Sequence, residues 1–360
     1  MTTRYDSTVR DSTGPARRAS VACSGGSPDR RAGLVPVAMT ALAALAIGCS
    51  PQRTPEAWGI GVHKFDAAKY GLIAGPPPAP DPVAERIVDD PALVIPTYDG
   101  SGQATHPDVL LDPNAPDTRL VMAMTPYPYS DDRLENPSLL ESRNGMVFRE
   151  LAGGTNPLVP PPPVDHNDDP DLRWDPVAHE YELLYLESES PMKQTVVALR
   201  STDLVRWTRN DAIVFDLTRG DPFIVSPTAV YDGAVTHMFY VNLMTTSGYQ
   251  IQTVTSADGR TWDATTAAPI AIDMGNVAPW HIDVVTGPAG YALLISGFVG
   301  KFKPQDLYIA TSKDLETWTF DPVPLLAHTD RTLGATTMYR STGVVAGSSL
   351  VVWYSMQYRQ

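Results

Sequence analysis

The chain repeats itself. A short element, built from a serine, an acid or amide two places on, and an aromatic four beyond that, occurs four times. Its copies run Ser142 to Phe148, Ser201 to Trp207, Ser256 to Trp262 and Ser312 to Trp318. They recur every ~55–60 residues, a period that belongs to solenoids, propellers and arrays. A second repeat runs out of phase with the first. A short polar motif opens an apolar stretch at His106-Pro107-Asp108, Asp169-Pro170-Asp171, Ser226-Pro227-Thr228, Trp280-His281-Ile282-Asp283 and Ala335-Thr336-Thr337. Five openings define five units.

Each unit reads as short strands. The runs are rich in Val, Ile, Tyr, Phe and Trp and end in Gly, Pro, Asp or Ser. No sustained helical period follows the leader. Asp258-Gly259 inside one box suits a hairpin turn, and the box aromatic then packs between neighbouring sheets. The fold class is all-β, a five-bladed β-propeller, in which radial repetition leaves only short, protected edges. A parallel β-helix has coils shorter than these units. The fifth unit ends without a box, so the ring needs a strand from elsewhere. Ala92 to Tyr98 is the expected donor.

The first residues lie outside this pattern. Arg30-Arg31, an apolar run from Leu34 to Ile47 and Gly48-Cys49-Ser50 make a secretory signal. Ala46-Ile47-Gly48-Cys49 resembles the bacterial lipobox, which makes Cys49 the expected lipidated residue. The expected organisation is a signal peptide over 1–49, a Pro/Ala/Gly-rich tether over 50–90 and the propeller over 91–360. Cys23 is the other cysteine, so the exported part has no disulfide framework and no thiol nucleophile. Net charge is −14, which argues against nucleic acid or an anionic lipid surface as partner. The expected state is a monomer in the bacterial cell envelope, touching the membrane only through its lipid.

Propeller geometry brings the innermost strands to one axis. Aligned openings place Asp108, Asp171, Thr228, Asp283 and Thr337 at one level. His106 and His281 share a strand face with Asp108 and Asp283 through period-two alternation. Glu135 and Glu187 sit at strand ends that can join them, and His166 lies in the acidic loop beside Asp171. Trp174 and Trp280 offer faces for sugar stacking. Asp203, Asp258 and Asp314 in the boxes read as turn residues that accept backbone N–H groups. His106, Asp108, Asp171, His281 and Asp283 carry oxygen and nitrogen donors, but no short zinc spacing is present. The expectation is no cofactor, with an axial Ca2+ as the alternative.

The His106-Pro107-Asp108-Val109 opening, Glu135-Asn136-Pro137-Ser138 and the boxes resemble the five-bladed glycoside hydrolase superfamily, which includes families 32, 43, 62, 68, 117 and 130. The resemblance runs from about Leu93 to the C-terminus. It implies a first-blade aspartate as base or nucleophile, which Asp108 matches. It implies a second-blade aspartate that positions the site and tunes its acid, which Asp171 matches. It implies a third-blade glutamate as acid, and here Ser226-Pro227-Thr228 departs from the pattern. The acid is then expected from Glu187, ahead of Glu135 and Asp283. The resulting expectation is a glycoside hydrolase that acts on a poly- or oligosaccharide through paired carboxyl groups. The alternative is a propeller that binds glycans without turnover.

Overall fold

The computed structural model describes residues 56–359, apart from 77, 80 and 247. The signal segment and Cys49 lie outside the described residues. The chain opens with β1 (Glu56–Asp66) and, after a one-turn helix α1 (Pro82–Arg86), β2 (Asp90–Leu93). Blade one follows as β3 (Ala104–Leu111), β4 (Leu120–Pro126), β5 (Ser138–Ser142) and β6 (Arg149–Glu150). Blade two is β7 (Asn167–Asp175), β8 (Glu180–Ser190), β9 (Lys193–Ser201) and β10 (Thr208–Asp216). Blade three is β11 (Ile224–Tyr231), β12 (Thr236–Thr245), β13 (Gly248–Ser256) and β14 (Ala268–Pro269). Blade four is β15 (Val277–Gly287), β16 (Gly290–Val299), β17 (Asp306–Ser312) and β18 (Thr319–Leu326). Blade five starts with β19 (Ala335–Ala346) and β20 (Ser349–Arg359) and is completed by β1 and β2, in the order β19-β20-β1-β2. The fold is therefore an all-β five-bladed propeller.

Ring closure corrects one expectation. The donor is Glu56–Asp66, which pairs antiparallel with β20 from Glu56↔Arg359 to Asp66↔Ser349. Asp90–Leu93 adds only a short outer strand, and Val94 to Tyr98 runs on as coil. The stretch expected as a tether thus holds β1, the strand that closes the ring. Its glycines, which made it read as a linker, have a packing cause. A Cβ on Gly61 would lie 2.7 Å from the Tyr354 ring, and one on Gly59 would lie 2.9 Å from Tyr358. Only glycine lets β1 approach those tyrosines.

The boxes hold the outer turns. Asp258 accepts the N–H groups of Arg260 and Thr261, and Asp314 those of Glu316 and Thr317. Asn144 does the same for Met146 and Val147 in blade one. Box aromatics then fill the seams between sheets. Trp318 of blade four meets Phe239 of blade three edge-on at 5.9 Å. Trp262 of blade three packs into the cluster around Leu184 and Phe215 of blade two. Apolar burial is divided among five such seams, one for each pair of neighbouring blades.

All five inner strands break register near their N-terminal ends: in β3 between Thr105 and Asp108, in β7 between Asp168 and Asp171, in β11 between Val225 and Thr228, in β15 between Pro279 and His281, and in β19 between Met338 and Ser341. His106, Asp169 and Ser226 sit in these bulges at φ 50, 50 and 54°, each followed by proline. Bulges re-aim side chains, and non-glycine residues hold such backbone only where the surroundings enforce it. The repeated break turns one residue from each blade toward the axis.

Candidate active site

The bulges build an upper tier on the axis from His106, Asp169, Ser226, His281 and Arg340, all buried. Asp169 is its hub. Its Oδ1 accepts from Arg340 Nη1 at 2.9 Å and lies 3.2 Å from His281 Nδ1 and 3.6 Å from His106 Nε2. Its Oδ2 accepts the Ser226 N–H at 2.7 Å. Burial alone would raise its pKa, but His281, His106 and Arg340 outweigh burial and hold it well below the usual carboxylate range. His106 is pushed well below the usual imidazole range by burial, so it is neutral. Its Nδ1 meets Thr125 Oγ1 at 3.0 Å. His281 Nδ1 meets Ser226 Oγ at 2.8 Å. The Nε2 atoms of both histidines are buried without a hydrogen-bond partner.

Glu135 lies beside this tier. Its Oε1 is 3.6 Å from His106 Nδ1 and its Oε2 is 3.8 Å from His166 Nε2. Burial, then the charge of Asp168, pushes its carboxyl well above the usual range. Glu135 Oε1 and Asp168 Oδ1 are both buried without a hydrogen-bond partner. Around them stands an aromatic wall. Tyr339 meets His281 at 4.4 Å and Trp58 at 4.8 Å between ring centroids, and Trp280 meets His281 at 5.5 Å. Tyr339, Trp280 and His166 are each half-buried, so this end of the axis reaches solvent.

Unpartnered buried polar atoms cost several kcal/mol unless something binds them (about 1–3 kcal/mol each). His106, Asp169 and His281 present ligand atoms within 4.8 Å of one another, and so do Glu135, His166 and Asp168. Two imidazoles whose Nε2 atoms lack a hydrogen-bond partner, with one ionised carboxylate, form a donor set suited to zinc and similar divalent metals. The residues fit such an ion.

One step deeper, two residues on in each strand, lies a second ring. Asp108 accepts the Leu172 N–H and Asp171 accepts the Ala229 N–H at 3.1 Å. Thr228 Oγ1 accepts from Val284 N at 3.4 Å, and Thr342 Oγ1 accepts from Val109 N at 3.2 Å. Asp283 accepts from Thr228 Oγ1 at 3.2 Å, and Asp108 from Thr342 Oγ1 at 2.8 Å. Blades one, two, three and five thus grip the backbone just past the matching residue of the next blade. Burial, then neighbouring carboxylates, raises Asp108 well above the usual range and Asp171 to about 7. Burial likewise raises Asp283.

The expected site residues therefore separate. Asp108, Asp171 and Asp283 come together, but in the deeper ring, where their oxygens hold backbone and threonine hydroxyls. The fifth-blade partner is Thr342, whereas Thr337 donates to Met338 O at 3.0 Å. His106, His281, Glu135, His166 and Trp280 stand at the mouth. Glu187 does not join them. It sits one strand outward, gripped by Arg209 at 2.7 and 2.8 Å. Trp174 lies at the far end of β7, packed on Tyr181 at 4.9 Å. Sequence reasoning missed Asp169, Ser226, Arg340 and Tyr339. The signal for the first two was the residue before proline in each opening, rather than the residue after it.

The fold is shared with proteins of known structure. The chain is 26% identical, over a 328-residue alignment, to the A type blood N-acetyl-alpha-D-galactosamine deacetylase of Flavonifractor plautii. That match covers 74% of this chain but 42% of the deacetylase, so the chain spans less than half of its relative's length. The crystal structure of an N-acetylgalactosamine deacetylase from F. plautii in complex with blood group B trisaccharide has a TM-score of 0.63 at 22% identity, covering 77% of this chain and 85% of that one. A thermostable family-43 glycoside hydrolase has a TM-score of 0.51 at 12% identity, covering 71% and 88%. No family model matches the chain.

Proposed function

We propose that this protein is a metal-assisted hydrolase that removes an N-acyl group from an amino sugar of a glycan. One observation carries the reading. His106, Asp169 and His281 converge on the axis with both histidine Nε2 atoms unpartnered, beside Glu135. The glycosidase assignment loses its first support, because Asp108 and Asp171 spend their oxygens on the deeper ring. The likeness to the F. plautii deacetylase supports an N-acetylated sugar as substrate.

A divalent ion, if held by His106, Asp169 and His281, would supply Lewis-acid polarisation of an acyl oxygen and acidify a water. Glu135 would take the proton of the attacking water as the water oxygen bonds to the acyl carbon. Glu135 then delivers the proton to the nitrogen as the C–N bond breaks, which leaves an amine and a carboxylic acid. Arg340 and Ser226 fix Asp169, and Asp169 with Ser226 fixes the ring of His281. Trp280 and Tyr339 offer faces to the sugar ring.

Glycosyl hydrolysis stays as the second reading. Glu135 and Asp168 present oxygens within 4.8 Å of each other, close to the ~5 Å carboxyl spacing of retaining glycosidases. One experiment separates the two. The soluble protein is incubated with N-acetylated glycans, with and without chelator, and acetate and new reducing ends are both measured. Chelator-sensitive acetate supports the first reading. New reducing ends without acetate overturn it in favour of the second.

A further inference from the structure

We propose that a groove on the second blade binds the glycosyl units next to the reacting sugar, so that the protein selects oligosaccharides over monosaccharides. This rests on the carbohydrate reading above. A cavity of about 600 Å3 lies along β8 to β10 under a strap formed by Leu158 to Val164. Such a volume falls in the range that holds small organic ligands. Tyr185, Glu187, Glu189, Trp207 and Arg209 line its floor.

Hydrogen bonds tie the walls of the groove to the mouth. The strap runs directly into Asp165-His166, and Asn167 Nδ2 donates to Pro160 O at 3.3 Å. Leu158 N donates at 2.7 Å to Pro137 O, two residues beyond Glu135. Ser188 N donates to His166 O at 3.0 Å, and Glu187 pairs with Asn167 across the ladder. The floor thus begins one strand out from the inner strand, about 4.8 Å away.

Its chemistry suits a neutral sugar. Trp207 is half-exposed, and flat aromatic and proline walls match the C–H faces of pyranose rings. Arg209 forks onto both oxygens of Glu187 and reaches Tyr185 Oη at 3.3 Å. That fixed pair places donors and acceptors side by side for vicinal hydroxyls. Arg209 is paired with Glu187 and Lys193 with Glu189, so the groove offers no unpaired positive charge to a polyanion. Pro160 to Pro163 carry no N–H groups, so the strap gives a peptide strand no ladder to pair with.

Calorimetry tests the groove with two probes: the methyl glycoside of N-acetylgalactosamine and a trisaccharide that ends in that sugar. Binding is measured on Glu135→Gln protein to prevent turnover, with the groove intact or carrying Arg209→Ala or Glu187→Gln. Trp207 packs the blade, so these polar surface changes are preferred to its truncation. The trisaccharide is expected to bind about tenfold tighter than the monosaccharide, and both groove changes to erase that gain. Monosaccharide affinity, and acetate release from it when Glu135 is present, should not change. Equal affinity for both probes, or a gain that survives both changes, overturns the groove while acetate release still stands. Absence of binding and of acetate release with either probe overturns the underlying reading and the groove with it.

Discussion

Asp169 and Arg340 meet at 2.9 Å on the propeller axis, both fully buried. This contact joins blade two to blade five. The same carboxylate takes the Ser226 N–H of blade three and faces His281 of blade four and His106 of blade one. One ionised group therefore touches every blade.

Breaking that pair should be costly. Arg340→Met keeps much of the volume but leaves Asp169 charged and buried without its guanidinium partner. Loss of one member of a buried pair costs about 3–5 kcal/mol. Urea unfolding monitored by circular dichroism should show a drop of that order. A loss below about 1 kcal/mol, the scale of an exposed pair, would show that His106 and His281 carry the charge alone.

Glu135 should matter to turnover far more than to folding. Its Oε1 has no hydrogen-bond partner, so Glu135→Gln removes no pairing on that side. It does remove the proton carrier, and such groups contribute roughly 10²–10⁴ in rate. Acetate release should fall within that range while metal content, measured by mass spectrometry, stays near wild type. Near-normal acetate release would place the base elsewhere. Loss of metal without loss of fold would make Glu135 a ligand.

The deeper ring predicts a pH dependence of stability. Burial and the charge of Asp283 raise Asp171 from 3.8 to about 7 in the folded state. A raised carboxyl favours the native state while protonated. Its contribution is full below about pH 4, the range of the unfolded aspartate, and is lost as pH rises through about 7. Asp171→Asn keeps an acceptor for the Ala229 N–H and cannot ionise. The unfolding free energy of the variant relative to wild type should therefore rise between pH 4 and 7. A difference that is flat, or that falls, over this window would mean that Asp171 is ionised in the native ring.

The number of blades and the turn function of the boxes were legible because both repeat at fixed spacing. The level of the site was not. Asp108 and His106 both point to the axis, and only the bulge at His106-Pro107 decides which of them faces the mouth. That bulge shows in sequence as a proline, but its consequence appears only when His106, Asp169 and Ser226 are seen in one tier. Glu187 misled for a related reason. Its place at a strand end fitted an axial acid, but Arg209, which captures it, sits two strands outward. Closure was hidden because Gly59 and Gly61 mimic a linker while serving a tight strand contact.

That contact gives the last prediction. β1 closes the ring without a covalent bond, through eleven paired positions against β20. Ile60 and Val62 on it are buried in the seam to blade one and Phe65 packs in the seam to blade four, so its release would open both. Gly61→Val places a branched side chain where even a Cβ lies 2.7 Å from the Tyr354 ring. Overpacking of this kind costs about 1–3 kcal/mol. The variant should melt at lower temperature, and protease should cut first near residues 67–89, where β1 joins β2. Gly61→Val with Tyr354→Ala makes room for the added methyl groups and should recover part of the loss. A Gly61→Val protein as stable and as protease-resistant as wild type would mean that β20 does not need β1 at this distance, and that the ring is held shut from the axis alone.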